Sequence, residues 1–149
     1  MKALITIIIS LFTAVSCLSQ HIEPVKGDNV IYIYTDSGAN YNYNAFGKHL
    51  VTNGYIIESS NREFLSLSTA NKTSKGAYEH QLIVSFIDST IIIRARGNLL
   101  LLGSTIYHPN FSTVDWEYYP SRSHIMNTHY QAFIPVLRSF SESLLFNNI

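Results

Sequence analysis

The chain has one cysteine, four prolines and no excess of either charge. Each shortage excludes something. A single Cys17 cannot close an internal disulfide or build a cysteine-based metal cluster. Ten basic residues against ten acidic present no basic face for nucleic acid. No apolar run reaches the roughly 20 residues that a membrane-spanning helix needs. There is no G-x-S-x-G elbow, no P-loop, no G-x-G-x-x-G and no H-E-x-x-H. The common hydrolase, nucleotide and zinc signatures are therefore missing, no cofactor is implied, and nothing makes a positive case for an enzyme.

What remains is a 149-residue chain that is 46% hydrophobic, enough for a single core and against disorder. Charged residues are 13% of the chain, while Ser, Thr and Asn are plentiful and ten residues are tyrosine. That surface style is common in exported and strand-rich proteins.

The first residues read as a targeting segment. Lys2 supplies a short positive start, and residues 3–15 are apolar apart from Thr6, Ser10 and Thr13. A run of that length matches the hydrophobic region of a signal peptide. Two cleavage readings stay open. Ala14-Val15-Ser16-Cys17 resembles the bacterial lipobox, although Ala14 stands where Leu is usual. It would leave an acylated Cys17 as a membrane anchor. Ordinary cleavage before Gln20 would discard Cys17 instead. The lipobox reading divides the chain into a signal peptide at 1–16, a lipid-anchored tether at 17–29 and one domain at 30–149. The mature protein then faces the periplasm or the cell surface from a bacterial envelope membrane. Cleavage before Gln20 makes it a secreted protein.

Within the domain, "VIYIY" at 30–34 suits a central strand, apolar on both faces. Asn44 as N-cap and Asn53-Gly54 as stop frame a short helix over 45–53. The period then becomes two. Strands are expected at "YIIES" (55–59) and "EFLSLST" (63–69), with a polar loop at 71–76. Tyr78, His80, Leu82, Val84 and Phe86 share one face of a long strand. In "TIIIRARG", Ile91, Ile93 and Ala95 face the core while Arg94 and Arg96 face out. Tyr130, Phe133, Ile134, Leu137, Phe140, Leu144 and Leu145 mark a final amphipathic helix, started or kinked by Pro135. The expected fold is α+β in two layers: an antiparallel sheet of about five strands, ordered β-α-β-β-β-β-α, with the helices on one face.

The stretch "VIYIYTDSGANYNYNAFGKHLVTNGYIIESSNREFLSLST" resembles a family of small Gram-negative lipoproteins of uncharacterised function. The matching positions are Phe46 and Leu50 in the helix, Gly54-Tyr55, and Glu63 through Thr69. The element order is also similar to TATA-binding-protein-like and BamC-like folds. The resemblance covers roughly residues 30–100. It implies an α+β fold and an envelope location, and it brings no catalytic residues.

Three function classes follow. The first is a non-enzymatic binding or assembly domain, held at a membrane by its anchor and meeting a protein partner. It requires an apolar or aromatic patch on the uncovered sheet face, where Arg94 and Arg96 project. The second rests on Asp36-Ser37-Gly38-Ala39, which resembles the D-[ST]-G-[AS] element of aspartic proteases, with "LLLLG" at 99–103 as a second element. Such chemistry needs two carboxylates sharing a proton, so two chains would have to bring Asp36 together. Asp-Ser-Gly is equally good turn chemistry after a strand. The third is a secreted carbohydrate-binding module using Trp116, Tyr118 and Tyr119, which must then be coplanar and exposed. If Trp116 caps the core instead, that reading falls. The six histidines show no metal-ligand spacing, and His80 is expected as a hydrogen-bonded residue on the core face.

Overall fold

The computed structural model describes residues 21–74, 78–99, 114–118, 120 and 125–148. The fold is α+β in two layers, as the patterning predicts, with more strands than expected. Eight strands form one antiparallel sheet: β1 Val30–Tyr34, β2 Ile57–Asn61, β3 Ser66–Thr69, β4 Lys72–Ser74, β5 Tyr78–Ile87, β6 Thr90–Leu99, β7 Val114–Asp115 and β8 Leu144–Asn147. Helices α1 (Ala39–Thr52) and α2 (Ile125–Phe140) both pack on one face. Across the sheet the order is β2-β3-β5-β6-β1-β8, with β4 also on β5 and β7 also on β6.

The long hairpin of β5 and β6 is the spine, paired from Tyr78↔Leu99 to Ile87↔Thr90. Its alternation decides the layers. Leu82, Val84, Phe86, Ile91, Ile93 and Ala95 are buried beneath the helices, together with Ile31 and Ile33 of β1. β1 lies between β6 and β8, with Ile31 and Ile33 buried under the helices while Tyr32 is half-buried and Tyr34 exposed on the other face.

Helix α1 begins six residues earlier than its sequence signals suggest. Its N-cap is Gly38, which offers no side-chain cap. The start is organised from within: Thr35 Oγ1 accepts from the Ser37 amide at 3.2 Å, and buried Asn42 donates to Ser37 O at 2.9 Å and to Thr35 Oγ1 at 2.8 Å. The stop is as expected. Gly54 at φ +77 lets its amide reach Val51 O while the Tyr55 amide reaches Leu50 O, the Schellman arrangement.

Helix α2 contains Pro135 without ending there. The carbonyl that its missing N–H frees belongs to Gln131, an exposed residue on the solvent side of the helix. The helix stops at Phe140. Leu144 and Leu145, expected to continue the helical stripe, belong instead to β8, which pairs with β1. There Leu144 and Phe146 are buried and Leu145 faces the other way.

Residues 21–29 are not a tether. His21 and Phe146 exchange amide–carbonyl bonds at 2.9 and 2.8 Å, Asn29 donates to Asn147 O at 2.9 Å, and Gly27 and Tyr118 are bonded at 3.1 Å. Asp28 is buried, and its carboxylate accepts from the Val25 amide at 2.8 Å. His21 bridges the outer edge of β8 at Phe146, so the ordered domain includes residue 21. Residues 1–20, with the expected signal peptide and Cys17, lie outside the described residues.

Candidate functional site

Three features could carry function: a groove at one sheet edge, the face of the sheet opposite the helices, and a buried polar cluster.

The groove lies between α1 and the edge strand β2 and has a volume of about 510 Å³. Tyr43, Gly47 and Val51 recur every four residues and so form one row along the helix. Asn44, Lys48 and Thr52 form the next row. From the sheet come Ile57, Ser60 and Leu67. The sheet side is shaped by a bulge in β2. Ile57 pairs with Thr69 but Ser59 with Ser68, so Glu58 is an extra residue. Glu58 turns toward the opposite face, where its carboxylate accepts from Gln81 at 3.1 Å. Among the described lining residues, Lys48 carries the one charge.

On the face opposite the helices, Tyr34 and Ile87 are exposed, Tyr32, Ile83, Ile92 and Leu145 are half-buried, and Val30 at the start of β1 is buried. Register places Leu145, Tyr32 and Ile92 side by side across β8, β1 and β6. Ile83 sits next to Arg94, and exposed Tyr34 and Ile87 flank Thr90 at one end. Arg94 and Arg96 are exposed on this face, where alternation put them. The result is an apolar row bordered by guanidinium groups.

The polar cluster sits where α2 crosses β5 and β6. The Tyr55 hydroxyl and His80 Nε2 are 2.8 Å apart, and the rings of His80 and His129 are 6.4 Å apart. Lys72 Nζ lies 4.1 Å above the Tyr55 ring and donates to Asn53 O at 2.6 Å, which also ties down the C-terminus of α1. Room for this cluster comes from Gly97, where a Cβ would lie 2.7 Å from His129 Nε2. Burial lowers the His80 pKa to about 4, helped by His129 and then Lys72. Burial also lowers the pKa of His129 and Lys72 and raises that of Tyr55. Both imidazoles are thus neutral at pH 7. With 2% and 1% of their surfaces exposed, they have no access to a substrate, so the cluster belongs to the architecture. His80 is the hydrogen-bonded core-face residue that its strand position implies.

The sequence-derived aromatic trio does not form a platform. Trp116 is buried, stacked on Tyr130 at 5.7 Å and edge-on to Phe133 at 5.2 Å, both from α2. Tyr118 is half-buried and packs on the same cluster, and Tyr119 lies outside the described residues. The carbohydrate-platform reading is thereby corrected: an indole with no polar surface to cover closes the core instead. Asp36 is exposed in the turn between β1 and α1. The Thr35–Asn42 hydrogen bonds account for Asp36-Ser37-Gly38-Ala39 as a turn and helix start. The 99–103 element lies almost wholly outside the described residues. Among the described residues no three His, Cys, Asp or Glu side chains are placed to hold a metal ion, and no helix is long and apolar enough to cross a membrane.

Gly47 was the overlooked signal for the groove. A glycine in a helix interior costs about 1 kcal/mol relative to alanine, yet a Cβ there would meet only Leu67 Cδ2 at an ordinary 3.7 Å. Close packing does not require it. No family model, no curated protein and no solved structure matches this chain.

Proposed function

We propose that this chain is an exported binding domain, tethered to an envelope membrane through Cys17, that meets a protein partner with its open sheet face. The observation that supports the reading is the half-buried apolar row Leu145–Tyr32–Ile92, with exposed Tyr34 and Ile87 at its end and Arg94 and Arg96 beside it. Contiguous apolar surface with an aromatic and arginines at its border is the composition that protein interfaces favour. Two acyl chains on Cys17 would supply the membrane affinity that a single chain lacks. Because the domain starts by residue 21, the chain between Cys17 and His21 can extend at most about 14 Å. The anchor would hold this domain close to the headgroups.

The test is the intact mass of the protein from membranes of its native host, beside a Cys17→Ala variant. The expected result is the 17–149 chain plus acyl groups, absent in the variant. An unmodified chain beginning at Gln20 would sink the anchored reading. A photo-crosslinking residue at Tyr34 should give one discrete protein adduct in those membranes, lost on Ile92→Asp. No adduct would sink the interface.

A further inference from the structure

We propose that the groove between α1 and β2 binds a free single-chain anionic amphiphile of the fatty-acid class. This site is separate from the open sheet face and stands whether or not that face meets a partner. The groove's volume of about 510 Å³ lies within the range of about 300–1,000 Å³ common for small-ligand sites. Its floor and walls are apolar: Tyr43, Gly47 and Val51 on the helix side, Ile57 and Leu67 on the sheet side. Lys48 stands on the adjacent helical row, four residues from Asn44 and Thr52. A cation beside an apolar channel, with no carboxylate among the described lining residues, fits a ligand with an alkyl body and one negative head. A zwitterionic head would leave its own cation unmatched, and a doubly negative head would leave one charge over.

Two observations select among occupants. Gly47 leaves the groove floor without a side chain at a cost in helix stability, and no packing contact explains that cost. A side chain there would fill the floor. The edge strand itself is a poor template for an added peptide strand. It carries a bulge at Glu58, and residues 58–61 are all exposed and polar.

The test uses the full chain carrying Cys17→Ala, which removes any acyl anchor. Dodecanoate is titrated below its micellar concentration, with dodecyltrimethylammonium as the opposite-charge control, by calorimetry and amide NMR. Dodecanoate should bind at one site with Kd on the order of 100 μM or tighter, shifting amides of 43–52, 57–60 and 67. Gly47→Leu should weaken it at least tenfold. So should Val51→Glu, at an exposed helix position where folding is not at stake. Lys48→Glu should reverse the preference between the two head groups. Equal binding of both amphiphiles, or affinity unchanged in Gly47→Leu and Val51→Glu, would overturn the proposal. So would binding confined to phosphatidylglycerol vesicles, or dimerisation abolished by Val51→Glu. Competition by an alternating Val/Ser pentapeptide that also protects β2 amides from exchange would replace the amphiphile with an added strand.

Discussion

Beneath α1 the core is closed by rings: Phe46 lies 4.9 Å from Phe140 and 6.2 Å from Phe86, edge-on to both. Where α2 crosses the other end of the same hairpin, the layer is threaded by Tyr55, His80 and His129. Both ends are built by one alternation, since His80 is followed on its face by Leu82, Val84 and Phe86. The difference comes from the partner strand. Opposite Phe86 stands Ile91, whereas opposite His80 stands Gly97, and the missing side chain is the space that His129 occupies. One end is closed mainly by aromatic rings, with His49 at its rim stacked on Phe46 and bonded to Val136 O at 2.8 Å, the other by a buried hydrogen-bonded cluster of groups that titrate.

The largest effect should come from breaking the ring-closed end. Phe46→Ala removes a side chain with no exposed surface and should cost about 3–5 kcal/mol. Urea denaturation should give the same loss at pH 7 and pH 5, because nothing titratable is removed.

Acid should act on the other end. His80 has a pKa of about 4 when folded against 6.5 when unfolded, so the unfolded chain takes the proton first as pH falls. The stabilisation is whole above pH 6.5 and is lost toward pH 4, about 3 kcal/mol in all. His129 is displaced in the same direction and adds to the decline. Stability measured from pH 7.5 to 4 should slope downward, and His80→Gln should flatten that slope. An unchanged slope in the variant would assign the acid sensitivity elsewhere.

A smaller effect tests the space itself. Gly97→Ala should cost about 1–3 kcal/mol by displacing His129. In the double variant with His129→Ala the two losses should not add, and a denaturation cycle reads that coupling. Additive losses would mean that Gly97 serves the strand rather than the imidazole.

The same comparison explains what could be read ahead of the fold. Period-two burial is local, so the faces of 80–86 and 91–95 were legible, including His80 and the outward Arg94 and Arg96. The start of α1 was not, because Gly38 gives no capping signal and the organising bond runs from Asn42 back to Thr35. β8 was hidden because Leu144 and Leu145 continue a helical stripe past Phe140, with neither Gly nor Pro to mark the break. Its strand character comes from β1 and a bridge to His21, both far away in the chain. The groove was least legible, since Val51, Ile57 and Leu67 meet only after β2 and β3 pair. Trp116 looked like a loop aromatic because the helix that buries it lies downstream.

The position of β1 has a kinetic consequence. The central strand is made early in synthesis, yet both its neighbours, β6 and β8, come from much later in the sequence. The strand bonded to its outer side is complete only when Asn147 exists. Such non-local pairing makes folding slow relative to chain elongation. The ladder around β1 is therefore among the last parts of the sheet to close, after the local β5–β6 hairpin can already have formed.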